Sequence, residues 1–160
     1  MLPHEVFLSH SSKNRTFANR LVKILVSHGI PVFYSKRSIL GAQQWHDEIG
    51  SALARCDWFI LILSPEAVKA EWVKRELLYA LQSDRYRERI IPLLYQRCDQ
   101  EKLSWTLSSI QRINFKRDFH KGCQKLLKIW GVGYRHGSSA DTAKSGSPKG
   151  PKAIKRIKKN

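Results

Sequence analysis

Apolar side chains recur along this chain with two alternating periods, and the alternation outlines a fold. Short runs with strand periodicity lie at Glu5–Ser9, Pro31–Tyr34, Trp58–Leu63, Ile90–Tyr95 and Gln111–Phe115. Between them, apolar residues fall three and four apart, the spacing of one helical face. Such stripes are Phe17, Leu21, Ile24 and Leu25, then Trp45, Ile49, Ala52 and Leu53. A further helix is predicted from Pro65 to about Gln82, and a last one from Phe119 to Trp130 with Phe119, Cys123, Leu126, Leu127 and Trp130 inward. Leu103–Ser109 reads as a short helix. Asn14 and Ser64 are candidate N-caps, the latter followed by Pro65 at the first helical position. Gly29 and Gly131 are placed to end helices in the left-handed conformation. Pro92 predicts a bulge or a position near the sheet edge for its strand.

Strands alternating with helices imply a parallel sheet with right-handed crossovers. The expected architecture is an α/β, flavodoxin-like three-layer fold with a five-stranded sheet in the order 2-1-3-4-5. Its ligand crevice then opens at the carboxyl ends of strands one and three. His10 ends strand one, and the helix after strand three flanks the same crevice. The expected organisation is a domain over residues 1–136 and a flexible basic tail over 137–160, where Ser, Gly, Pro, Ala and Lys replace the apolar periodicity.

Charge and cysteines narrow the classes. The net charge is +16 over 160 residues, of which about +6 falls in the tail and +10 in the domain. A basic surface attracts nucleic acid, anionic lipid or a phosphorylated small molecule without choosing among them, and for the tail a nucleic-acid or membrane contact is a weak expectation. Cys56, Cys98 and Cys123 are odd in number and widely spaced, which argues against a disulfide framework and against a zinc site. No metal and no cofactor is expected. The lack of a signal-peptide pattern and of a membrane-length apolar run favours a soluble cytoplasmic protein.

The candidate chemistry centres on Glu76, four residues after Trp72 and so on the same helical face. A carboxylate beside an indole at the end of a buried strand can hold a ribose and stabilise a sugar cation. Two other motifs fail. Gly131–Gly137 follows a helix and has the wrong spacing for a phosphate loop. A phosphate-receiver site needs acidic residues after strand one and an Asp ending strand three, whereas strand one ends in Ser9-His10 and Asp57 precedes strand three.

Four segments in order resemble the signature boxes of TIR (Toll/interleukin-1 receptor) domains: Val6–Ser11, then Val32–Tyr34 with Gly41 and Trp45 after it, then Cys56–Pro65, then Glu71–Leu77. The resemblance covers about residues 4–134 and is closest in character to bacterial, NAD-cleaving members. It implies a hydrolase that cuts the nicotinamide–ribose bond of NAD+, its substrate, giving nicotinamide with ADP-ribose or a cyclic isomer. It implies Glu76 as the catalytic residue. His10, Ser11 and Ser12 match the turn lining the NAD pocket, Ile39 to Gly41 the loop covering it, and Trp72 stands beside the glutamate as a substrate contact. It further implies homo-oligomers through TIR–TIR contacts at Ser35–Gln44, a separate activating protein, and an antiviral defence role through NAD depletion. The alternative is a non-enzymatic TIR adaptor; nucleoside deoxyribosyltransferases, which share the fold and a catalytic Glu, rank third.

Overall fold

The computed structural model describes residues 1–34 and 42–137, excepting the side chains of 42 and 43. Ile39, Gly41 and the tail from 138 onward, on which sequence expectations fall, lie outside the described residues. Five strands, β1 (Val6–Ser9), β2 (Val32–Tyr34), β3 (Trp58–Leu63), β4 (Ile90–Leu94) and β5 (Ile113–Asn114), pair in parallel in the order β2-β1-β3-β4-β5. The helices are α1 (Arg15–Ser27), α2 (Ala42–Arg55), α3 (Pro65–Lys69), α4 (Glu71–Gln82) and α5 (Phe119–Ile129). The fold class expected from the alternating pattern and the flavodoxin-like strand order are those observed.

Strand alternation divides the core into two layers. Val6, Leu8, Ile60 and Ile62 pack with α1 and α5 on one face. Phe7, Phe59, Leu61 and Leu63 pack with α2 and α4 on the other. β1 and β3 are covered on both sides, which is why their sequences are apolar at nearly every position. At the amino end, Asp57 accepts hydrogen bonds from the backbone N–H groups of His4 and Glu5 at 3.0–3.2 Å, aligning the starts of β1 and β3.

Several local expectations are corrected. Asn14 is next to α1 but makes no side-chain cap bond to it. Its Oδ1 instead accepts from Ser64 Oγ, 2.5 Å away, joining the ends of β1 and β3. A 3-10 turn, Ser12–Asn14, stands where the cap was expected, and Ser11 caps that turn. Ser64 does cap its helix, accepting from the Ala67 N–H at 3.0 Å. That helix is not continuous to Gln82. It ends at Lys69, Ala70 is extended, and α4 begins at Glu71. Nothing in the run of good helix formers around Ala70 marks the break. Leu103–Ser109 is a 3-10 turn over Trp105–Ser109. Of the two expectations for Pro92, the position near the sheet edge holds and the bulge does not: β4 is next to the edge strand β5 and stays in register with β3 through Leu61–Pro92. The Tyr95 N–H donates to Leu63 and the Leu94 carbonyl accepts from Phe115, so alternation turns Pro92 toward β5. β5 pairs only from Leu93 onward, so the missing N–H has no ladder partner to lose.

α5 lies close against the sheet because Gly122 faces Phe115. A Cβ at Gly122 would stand 2.6 Å from the Phe115 ring, which is buried. Gly122→Ala gains about 1 kcal/mol of helix propensity but overpacks the contact by about 1–3 kcal/mol. The expected outcome is a lower urea midpoint; a raised midpoint would mean the Phe115 ring moves aside freely.

Candidate active site

Ser9 is two residues beyond Phe7 and points to the same side of the sheet, toward α4. On α4 the inward face is Val73, Glu76, Leu77 and Ala80. One position of this apolar face is a carboxylate, and it meets Ser9 at the carboxyl end of β1. Glu76 is only 4% exposed. Its Oε1 accepts from Ser9 Oγ and its Oε2 from the Trp72 indole N–H, both at 2.8 Å. Glu76 is therefore not a solvated helix carboxylate. Its neighbour Arg75 pairs with Glu71 at 3.6 Å on the exposed side of α4. Burying a carboxylate is costly unless donors replace water; one donor from the strand and one from the preceding helical turn do so here, and they fix its rotamer.

Trp72 is itself held. Its ring lies 3.9 Å, centroid to centroid, from Trp45 of α2. His46 approaches its edge at 6.1 Å. The indole thus packs as well as donates, and α2 braces it from outside.

Beside Trp72 is a small cavity of about 40 Å³, lined by His10, Ser11, Ser12, Arg15, Ala70, Trp72 and Val73. Glu76 does not line it; its donor Trp72 does. A second cavity of about 350 Å³ adjoins it, sharing Ser11, Ser12 and Ala70 and adding Lys13, Glu66 and Lys69. The extended backbone at Ala70 puts this residue on both. Of the residues singled out from sequence, His10, Ser11, Ser12, Trp72 and Glu76 come together here. Ser11 is buried and occupied with its turn, accepting from the Lys13 N–H at 3.3 Å; Ser12 is exposed.

Ser9, Arg15, Lys13 and Lys69 were not singled out. Strand alternation from Phe7 was the available signal for Ser9. The cations follow from two local features, the 3-10 turn that puts Arg15 at the first position of α1 and the short α3 carrying Lys69. The groove they line carries positive charge facing a polar floor. Glu66 opposes it: its own backbone N–H holds its carboxyl below the ordinary range, so it stays ionised at neutral pH. A larger cavity of about 550 Å³ lies at the amino ends of β3 and β4, far along the sheet from Glu76. Its volume suits a ligand, but it brings no buried carboxylate to its wall. Among the described residues no cluster of His, Cys, Asp and Glu is arranged to hold a metal, and no helix is long and apolar enough to cross a membrane.

A five-stranded parallel sheet in the order 2-1-3-4-5, with helices on both faces, defines the flavodoxin-like class of α/β domain. The profile of the TIR domain family matches residues 6–127, and the chain belongs to that family. A protein of Brachypodium distachyon, described as a probable 2′ cyclic ADP-D-ribose synthase, is 32% identical over 94 residues. That match spans 58% of this chain and 41% of the relative, less than half of the relative's length. Among solved structures, the TIR domain of a Toll-related receptor from Hydra magnipapillata superposes with TM-score 0.58 at 22% identity, covering 78% of this chain and 88% of that one. The TIR domains of the activated Roq1 resistosome, an assembly that directly recognises the pathogen effector XopQ, give 0.61 at 16%, covering 79% and 98%. A TIR-STING receptor from C. gigas gives 0.60 at 22%, covering 73% and 36%. At these identities the structural likenesses establish the fold.

Ser9→Ala leaves Glu76 buried with one donor fewer. Hydrogen bonds to charged groups contribute about 1.5–3 kcal/mol, and a loss of that order is expected in guanidinium unfolding. Ser12→Ala, at an exposed position, is expected to stay within about 0.5 kcal/mol of wild type. Equal stability of the two variants would show that Glu76 does not depend on Ser9.

Proposed function

We propose that this chain is an NAD+-cleaving TIR domain in which Glu76 stabilises the ribose cation formed as nicotinamide leaves. The observation that carries the reading is a carboxylate sealed inside an apolar helix face at the ligand end of the sheet, with both oxygens held by Ser9 and Trp72. A carboxylate is rarely put there for stability alone. The likeness to the Brachypodium distachyon protein, described as a probable 2′ cyclic ADP-D-ribose synthase, supports the same substrate class.

The chemistry needs one carboxylate. In NAD+ the bond from ribose C1′ to the pyridinium nitrogen breaks, and its electron pair neutralises the departing nicotinamide, so no general acid is required. Positive charge develops on the ribose. An oriented carboxylate shielded from water stabilises that charge more than it would in bulk solvent. Water then adds to C1′ and loses a proton, giving ADP-ribose; intramolecular attack gives a cyclic isomer. This differs from ordinary glycosidases, which pair two carboxylates because their leaving group needs a proton. Lys13, Arg15 and Lys69 suit the diphosphate through charge. A ribose hydroxyl reaches Glu76 either beside its two donors or in place of one. The cavity next to Trp72 has to widen for this, since about 40 Å³ holds little more than water. The cover that family resemblance assigns to Ile39 and Gly41 falls outside the described residues.

The Roq1 relative is a TIR domain within an assembled resistosome, and we place cleavage here in an assembled state as well. A defence role through NAD depletion follows from that reading. Nicotinamide release from NAD+ by crowded or forcibly oligomerised protein is the test. Glu76→Gln, which keeps shape and loses charge, is expected to fold normally and to lose at least about 10²-fold in rate, the scale of removing one electrostatic stabiliser. Equal slow release by both proteins would favour an adaptor. Lys13→Ala with Arg15→Ala is expected to raise KM for NAD+ several-fold with a smaller change in kcat; an unchanged KM would remove these cations from the substrate groove.

A further inference from the structure

We propose a second ligand site on the other face of the sheet, a nucleotide-binding cavity between α1 and the start of α5. The cavity is about 420 Å³ and shares no lining residue with the two beside Trp72. Its size lies within the range of small-ligand sites, roughly 300–1,000 Å³. Its depth is aromatic. Tyr95 stacks on Phe17 with ring centroids 4.1 Å apart, and Phe115 and Phe119 meet Phe17 edge-on at 5.7 and 5.9 Å. Its rim is cationic. Arg20, Lys116 and Arg117 line it and are exposed, against one acidic residue, Asp118.

Asp118 is already engaged. It caps α5, accepting from the Lys121 N–H at 3.0 Å, and that bond holds its carboxyl below the ordinary range. It therefore stays charged, and the rim keeps a surplus of positive charge. The guanidinium carbon of Arg20 stands over the Phe119 ring, 3.7 Å from its centroid. A guanidinium stacked on an aromatic ring offers its other face to a planar partner. Aromatic side chains and Arg planes beside Lys and Arg heads form the recognition chemistry of a base carrying a phosphate. A phosphate alone, or a phosphorylated peptide, would use the rim and leave the aromatic wall unexplained. The ligand class is thus a nucleotide, either free or as part of a single strand.

This site does not depend on the Glu76 reading. Phe17, Phe115 and Phe119 belong to the α1–α5 layer of the core, whereas Trp72 packs with the α2–α4 layer.

The test is calorimetric titration of the whole chain at low salt with AMP, adenosine, inorganic phosphate and a short single-stranded oligoadenylate. AMP is expected to bind at least about tenfold more tightly than phosphate, since base stacking contributes roughly 1–3 kcal/mol, and more tightly than adenosine, since the cationic rim takes up the phosphate charge. Arg20→Ala is expected to weaken AMP at least tenfold, and Arg20→Lys to restore the charge but not the stacking share. Glu76→Gln and the Lys13→Ala, Arg15→Ala pair are expected to leave AMP binding unchanged. Tighter, strongly salt-dependent binding of the oligoadenylate would identify a single strand as the source; equal affinity for AMP would identify a free nucleotide. Phosphate binding as well as AMP would overturn the proposal, as would an Arg20→Ala variant that binds AMP like wild type. Loss of nicotinamide release in Glu76→Gln with AMP binding intact separates the two sites.

Discussion

Glu76 is a carboxylate inside an apolar helix face, and hydrogen bonds from Ser9 and Trp72 help hold it there. Removing a carboxylate from water is among the costliest steps in folding unless donors take over its solvation. Ser9 and Trp72 do so from two different elements, at 2.8 Å each. Ser9 can reach only because β1 is central and its carboxyl end lies against α4. Trp72 can reach only because it precedes Glu76 by one helical turn. Trp45 then braces Trp72 from α2. The position of one carboxyl group thereby depends on the order of the sheet, on the start of α4 and on the packing of α2.

The same dependence ranks the cavities. Volume alone would favour the 550 Å³ space at the amino ends of β3 and β4. Chemistry favours the two adjoining cavities beside Trp72, where polar turn groups and the cations Lys13, Arg15 and Lys69 lie next to the indole that orients the Glu76 carboxylate. Open α/β sheets place ligands beyond the carboxyl ends of their strands, and Glu76 is at that end. In the proposed reaction the apolar surroundings of Glu76 are useful as well as costly, since they strengthen its effect on a nearby cation.

Much of this was legible in the sequence because it is written in periodicity. β3 is apolar throughout and its bounds, Trp58–Leu63, follow directly. Ser64-Pro65 marks a helix start by local chemistry alone. A parallel sheet follows from alternation and handedness, and the order 2-1-3-4-5 from analogy with flavodoxin-like folds. The pairing of Trp72 with Glu76 follows from helical spacing, and the TIR boxes point to the same glutamate. What was not legible depends on tertiary contacts. Asn14 has the composition of a cap but bonds Ser64 across the sheet. The break at Ala70 has no local signature, yet it brings Ala70 to the groove and sets where α4 begins. Ser9 read as the end of a strand; its role appears only when α4 is laid over β1. Lys13 and Arg15 belong to no motif; a 3-10 turn brings them to the two adjoining cavities beside Trp72.

The central claim is that Glu76 meets the ribose of a dinucleotide. Its most direct test is a crystal structure of the assembled protein with a non-cleavable NAD+ analogue. The expected result is a ribose hydroxyl within about 3 Å of a Glu76 carboxylate oxygen, with the diphosphate along the Lys13 and Arg15 side of the groove. An analogue seated elsewhere, with Ser9 and Trp72 still the polar neighbours of Glu76 and no substrate atom near it, would contradict the claim.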